Sequence, residues 1–343
     1  MEYVIQIVLL IVGFVMLVKG ADWFVDGVAG IAEKFGIPQI VIGLTIVAMG
    51  TSAPEAAVSI TSALKNTAEN STVGIAIGNV VGSNILNVLI ILGITAVITN
   101  VAVQKNTIRY EIPFTILVTI LFGVFGFTGA KIDRPEGIVF WVLFVLYISY
   151  TLVVALRGKK AATATVAADD GTEALGAEAT NADDGIEADG ADEKKKKPVW
   201  LLLILSVIGA VLVVKGADVS VDAATALAKL FGLSDRFIGL TIVALGTSLP
   251  ELVTSATAAL KGKADIAIGN IVGSNIFNIL FVIGTTALIV NVPFAANFLI
   301  DTAVALASMF ILWFGVLKTK ELKRPVGILM LLAYAGYFVY LIQ

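Results

Sequence analysis

The chain has 343 residues, 58% of them hydrophobic and 14% charged, with a mean hydropathy of +0.97; soluble domains carry about 25% charged residues, so a soluble enzyme or a nucleic-acid-binding module is excluded and a polytopic membrane protein is indicated. The formal net charge of −3 says little, because the acidic residues concentrate in one hydrophilic stretch. Cysteine and histidine are both absent, which excludes disulfides, thiolate chemistry and soft-metal sites and leaves hard cations bound by the oxygens of Glu, Asp, Asn, Ser, Thr and backbone carbonyls.

The hydrophobic run Met1 to Val18 has Glu2 as its only charge and lacks a basic leader or small-residue cleavage site, so it reads as a first span and not a removable signal. Stretches long enough to cross roughly 30 Å of hydrocarbon then follow at 3–31, 37–64, 73–98, 109–128, 136–156, 199–228, 237–260, 264–290, 297–317 and 325–342, ten in all. Between the fifth and sixth, residues 158–197 turn to Ala, Asp, Glu, Gly and Thr and end in Lys194 to Lys197, the composition of a disordered linker. Its acidic cluster does not have the spacing of a calcium-binding loop.

The segments flanking this linker, 1–157 and 198–343, repeat one another. Gly50-Thr51-Ser52-Ala53-Pro54-Glu55 returns as Gly246-Thr247-Ser248-Leu249-Pro250-Glu251, and Gly82-Ser83-Asn84-Ile85 as Gly273-Ser274-Asn275-Ile276. The copies are 196 residues apart at Glu55 and Glu251 and 191 apart at Asn87 and Asn278. Five spans, an odd number, separate them, so the second copy must cross the membrane in the opposite direction. The expected fold is all-α: ten transmembrane helices arranged as two inverted five-helix repeats, with helices 2, 3, 7 and 8 broken. Lys and Arg crowd the linker side, which by the positive-inside rule places the linker in the cytoplasm and both termini outside, in a multi-pass protein of the cell membrane.

A glutamate at the middle of a membrane helix costs about 2.5 to 3.5 kcal/mol on insertion scales, and each repeat has one. Pro54 cannot donate to the carbonyl of Gly50, nor Pro250 to that of Gly246, so both helices should break and free carbonyls at membrane depth. Thr51 and Ser52 lie four and three residues before Glu55, on one helical face; Thr247 and Ser248 stand likewise to Glu251. Ser83 with Asn87, and Ser274 with Asn278, provide a second polar wall. Four such helices meeting at one depth describe an ion site at a repeat interface. Other polar residues have plainer expectations. Ser59, Thr61, Ser62, Thr95, Ser255 and Thr285 should bond their own i−4 carbonyls. Asn79, Asn84, Asn270 and Asn275 should cap or cross-link helices, and Lys19 with Asp22, like Lys215 with Asp218, should pair locally.

These motifs resemble those of the cation/calcium exchanger superfamily, whose two α-repeats carry Gly-Thr-Ser-x-Pro-Glu/Asp followed by Gly-Ser-Asn-x-x-Asn/Asp, and within it the prokaryotic sodium/calcium exchangers. The resemblance implies that Glu55 and Glu251 bind calcium or sodium. It further implies that the carbonyls and hydroxyls of Thr51, Ser52, Thr247 and Ser248, the carbonyls of Ala48 and Ala244, and Ser83 and Ser274 complete the sites. Potassium-dependent relatives carry Asp where this chain has Asn278, which argues against potassium coupling. The implied activity is sodium/calcium antiport by alternating access, with Ca2+ and Na+ as transported substrates, no cofactor and a single chain as the working unit. A calcium/proton exchanger is the alternative. A passive channel and an intramembrane enzyme are disfavoured, the latter because metal-centred hydrolysis usually employs nitrogen ligands.

Overall fold

In the computed structural model, residues 2–64, 74–172, 198–231 and 244–342 are described. Of the expected linker, 173–197 lies outside them, as does the start of the span expected at 237–260. Among the described residues eight helices are long and apolar enough to cross a membrane, nine if one bent pair is a single span.

The first half contains α1 (Glu2–Phe35), the bent pair α2 (Gln39–Thr51) and α3 (Ala53–Leu64), then α4 (Ala76–Ile98), α5 (Thr107–Gly129) and α6 (Arg134–Thr172). The second contains α7 (Val199–Leu230), α8 (Ala244–Thr247), α9 (Leu249–Leu260), α10 (Ala264–Ile289), α11 (Ala296–Leu317) and α12 (Arg324–Ile342). Helix α6 continues to Thr172, past the expected start of the linker at 158. Its alanines, such as Ala161, Ala162 and Ala164, are strong helix formers and extend the span without a break.

The break after Thr51 is where Pro54 requires it: α2 and α3 are bent by 47°. Ser52, between them, leaves the helical region at φ −83° and ψ 9°, and Ser248 between α8 and α9 has nearly the same angles, −92° and 4°. The expected breaks in the third and eighth spans are not found. Both α4 and α10 run through as single helices, each widened into a π-helical stretch that begins at an asparagine, Asn87–Leu92 and Asn278–Ile283. No proline interrupts either ladder, so one inserted residue is absorbed as a π-turn instead of a kink.

Helices α10 and α4 form the core. Of their most apolar windows 94% and 72% is buried, against 22% for α1 and 11% for α12, which show large apolar side chains outward as lipid-facing helices do. Glycines allow the closest crossings. A Cβ on Gly269 of α10 would lie 2.9 Å from the Cα of Gly43 in α2, and one on Gly209 of α7 would lie 2.5 Å from the backbone nitrogen of Phe24 in α1. Helices α1 and α7 run antiparallel, Gly13 lying against Ser220 and Gly27 against Ser206.

Two short antiparallel ribbons join the halves: β1 (Val101–Ala102) with β4 (Glu321–Leu322), and β2 (Lys131–Ile132) with β3 (Val292–Pro293). Ala130 and Lys320, each just before a strand, both adopt left-handed backbone, φ 50° and 54°. The internal repetition therefore reaches the loop conformations.

Candidate functional site

The two breaks lie against each other and against the middle of α4 and α10, and they enclose a buried polar cluster. Thr51, Ser52, Glu55, Ser83, Asn87, Ser248, Glu251, Ser274 and Asn278 are each 3% exposed or less. Thr247 is half-buried, Ala48 is buried and Ala244 opens α8. The residues singled out by spacing thus converge, with one change of partner. Ser52 donates to Glu251 Oε1 of the other half at 2.8 Å, and Ser248 lies 3.4 Å from Glu55 Oε1. Spacing grouped each serine with the carboxylate of its own repeat. The exchange follows because Ser52 and Ser248 occupy the break itself, where helical periodicity no longer sets side-chain direction. Ser83 also faces Glu55 Oε1 at 3.4 Å, and Ser274 faces the carbonyl of Ala48 at 3.5 Å.

A layer of asparagines frames the carboxylates. Asn79 Nδ2 donates to the carbonyl of Glu55 at 3.1 Å and to Ser59 at 3.0 Å. Asn270 Nδ2 reaches the carbonyl of Glu251 at 3.5 Å and Ser255 at 2.9 Å, while its Oδ1 accepts from Thr51 at 2.9 Å. Asn84 and Asn275 donate to each other's carbonyls at 3.3 Å, Asn87 donates to Asn275 Oδ1 at 2.9 Å and Asn278 to Asn84 Oδ1 at 3.0 Å. The expected cross-linking role of the four flanking asparagines is what these bonds describe. Thr95 bonds its i−4 carbonyl as expected, at 2.6 Å. Ser59, Ser255 and Thr285 instead accept from Asn79, Asn270 and Trp141, because a neighbouring helix brings a donor within reach.

After these bonds are counted, four oxygens of the cluster's carboxylates and asparagines have no partner among the described residues: Glu55 Oε2, Glu251 Oε2, Asn87 Oδ1 and Asn278 Oδ1. All four are acceptors when the carboxylates are ionised, they come from both halves, and neither glutamate forms an ion pair among the described residues. Buried acceptors without donors are costly to leave unsatisfied, and a hard cation is the ligand that satisfies oxygen acceptors of this kind.

A cavity of about 350 Å³ lined by Pro54, Ala57, Val58, Asp218, Asp222 and Thr247 lies between α3 and α7. At the repeat-related place between α9 and α1, Lys261 forms ion pairs with Asp22 and with Asp26, the latter at 2.7 Å, and donates to the Asp22 carbonyl at 2.9 Å. Burial tends to lower the Lys261 pKa, but the two aspartates outweigh it and hold the ammonium above its ordinary value. Asp22 was expected to pair with Lys19; the bridge to Lys261 replaces that pairing because α9 ends beside the α1 face carrying Asp22 and Asp26. Lys215 and Asp218 do pair, at 3.3 Å. The role of Lys261 was not read from sequence, although its position 196 residues after Lys65 was a signal.

The family model described as sodium/calcium exchanger protein matches residues 5–153 and 201–343. CaxA of Alkalimonas amylolytica is 37% identical over 340 residues, covering 96% of both chains. A sodium/calcium exchanger of Methanosarcina acetivorans is 32% identical over 360 residues and 98% of both. A solved structure of the sodium-calcium exchanger NCX_Mj, soaked with Na+ and Sr2+, superposes with a TM-score of 0.78 at 29% identity, covering 98% of this chain and 99% of that one. With two broken helices meeting over unpartnered buried oxygens and both halves matched along their length, the chain belongs to the sodium/calcium exchanger family.

Proposed function

We propose that the protein is a secondary antiporter that exchanges sodium for calcium by alternating access, with sodium influx driving calcium out of the cell. The observation that carries this reading is the set of four unpartnered buried oxygens, two of them carboxylate oxygens, contributed by both halves of the chain. Two carboxylates balance one Ca2+; with the neutral oxygens of Thr51, Ser52, Thr247, Ser248, Ser83, Ser274, Asn87, Asn278 and the carbonyls of Ala48 and Ala244 they equally offer adjoining places for several Na+. A site carrying net charge is unfavourable inside a membrane, so the carrier reorients filled with one substrate or the other, and exchange is coupled.

The reading takes the fold as ten spans in two inverted repeats, 1–157 and 198–343, with termini outside and the linker in the cytoplasm. The ribbons between halves, the matched left-handed residues and the reciprocal Ser52 and Ser248 contacts support that arrangement. On this topology the cavity at Asp218, Asp222 and Thr247 opens outward, and the Lys261 bridge lies on the cytoplasmic side.

The test is calcium uptake into inside-out vesicles preloaded with sodium and diluted into sodium-free medium. Uptake should collapse when the sodium gradient is dissipated. Uptake that ignores sodium and follows an imposed pH gradient would establish calcium/proton exchange instead.

A further inference from the structure

One buried acid takes no part in the cluster at the repeat interface. Glu111 is 4% exposed and ends the π-helical stretch Thr107–Glu111 at the start of α5. Tyr150 of α6 donates to its Oε1 at 2.8 Å, while Oε2 is left without a formed hydrogen bond and has the buried hydroxyl of Thr107, four residues earlier, beside the carboxylate. Adjacent to it lies a cavity of about 350 Å³ whose walls include Glu111, Arg109, Tyr110, Phe114, Tyr147 and Tyr150.

The wall chemistry selects the ligand. Aromatic faces around one carboxylate favour an organic ammonium, through cation-π attraction and a charge-assisted hydrogen bond. A bare divalent ion is poorly served by a single carboxylate among aromatic rings, since it requires six or more oxygens. Arg109 is exposed at the rim, its guanidinium 5.7 Å from the centre of the Tyr110 ring, free to engage a phosphate. The outer wall is apolar and lipid-facing: Leu146 is 59% and Tyr110 50% exposed. We propose that this cavity binds the headgroup of a membrane phospholipid bearing a primary ammonium beside its phosphate, the chemistry of phosphatidylethanolamine, with the ammonium at Glu111 and the phosphate at Arg109.

The second half repeats the acid but not the pocket chemistry. Tyr337 donates to Asp301 at 2.9 Å, in the place equivalent to Glu111, yet Leu299 and Ile300 stand where the first half has Arg109 and Tyr110. The ammonium-and-phosphate pair is therefore offered in one leaflet only, the one facing the linker. It is also connected to the transport cluster: Tyr147, in the cavity wall, donates to the carbonyl of Leu44 at 3.0 Å, and Leu44 lies in the π-helical stretch Gly43–Val47 directly before Ala48. A headgroup seated against Tyr147 is thus linked, through that hydrogen bond, to the helix that carries Thr51.

The proposal does not depend on which ions are exchanged. Protein extracted from vesicles containing equal phosphatidylethanolamine and phosphatidylglycerol with matched acyl chains would be weighed by native mass spectrometry. Wild type should retain the ethanolamine lipid about tenfold over the glycerol lipid, as expected for one charge-assisted hydrogen bond in a sheltered site. Glu111→Gln should remove that preference, and Arg109→Gln, on the exposed rim and without consequence for folding, should lower retention of both lipids. Addition of soluble phosphoethanolamine should not displace the lipid, because it lacks the acyl chains. Equal retention of the two lipids by wild type, an unchanged preference in Glu111→Gln, or displacement by phosphoethanolamine would each overturn it. If Glu111→Gln does not fold, Tyr110→Ala substitutes as the second variant, with an undiminished preference counting against the proposal.

Discussion

Glu55 and Glu251 each direct one carboxylate oxygen at serine hydroxyls and leave the other without a partner, a division that suits the proposed exchange of one ion for another. The serine contact fixes the side chain while the second oxygen awaits a ligand. Replacing Glu55 or Glu251 by Gln should reduce calcium flux in proteoliposomes by about a hundredfold or more, because losing one member of a buried charge set costs about 3–5 kcal/mol. Near-normal flux in either variant would remove that residue from the site. Asn270 has a different task, since it joins Thr51, Ser255 and the Glu251 carbonyl across three helices. Asn270→Ala should destabilise the protein by about 1–3 kcal/mol, the cost of stranding buried hydrogen-bonding groups, visible as a lower thermal midpoint of tryptophan fluorescence in detergent. Asn79→Ala, at a half-buried position where water can reach, should cost less. At this scale the sequence was informative about which residues matter and weaker about their partners: the carboxylates and breaks follow from Glu and Pro within apolar runs, whereas the crossed serine contacts depend on how two distant segments meet.

Among elements, α1 and α7 are pressed together at glycine contacts that leave no room for a side chain, and α1 also reaches the core through Phe24, Val25 and Val28. Smooth, closely packed backbones of this kind can shift along a neighbouring surface without forcing large side chains past one another. Where α1 meets α9 the contact is held by Lys261 between Asp22 and Asp26, and a cavity lies between α7 and α3. The pair of bridges should therefore bias the carrier toward closure on the linker side. Partly exposed bridges contribute about 1 kcal/mol, so Lys261→Gln should shift the population roughly fivefold toward opening there. The absence of cysteine from the chain makes this directly measurable. A single cysteine at Ala57, which lines the cavity, should react with an impermeant thiol reagent from the side opposite the linker; one at the repeat-related Val253 should be protected until Lys261→Gln exposes it to the linker side. Equal labelling of the Val253→Cys site with and without Lys261→Gln would dismiss the bridge as a latch. The π-turns at Asn87 and Asn278 were not legible in advance, because a one-residue widening leaves apolar periodicity almost unchanged.

For the molecule as a whole, the repeated motifs made the two-half organisation legible, since each copy carries the same polar residues in the same order. How tightly the halves interlock was not, because it rests on close glycine crossings and two-residue ribbons that leave little trace in composition. Those contacts have a consequence for the connection between the halves. The structure joins them through β1 with β4, β2 with β3, α1 with α7 and α2 with α10, and each of these pairs takes one element from either side of the 173–197 segment. A tether between partners already sharing so large a surface raises their effective concentration without adding a contact of its own. Residues 1–172 and 198–343 expressed together as separate chains, with an affinity tag on one, should therefore copurify in detergent and retain sodium-dependent calcium uptake after reconstitution. Uptake per assembled complex should be close to that of the intact chain, because no residue of the ion cluster or of the Lys261 bridge comes from the removed segment. Copurification without uptake would assign the segment a part in transport itself, and failure to copurify would mean that covalent linkage is needed to bring the two halves together in the membrane.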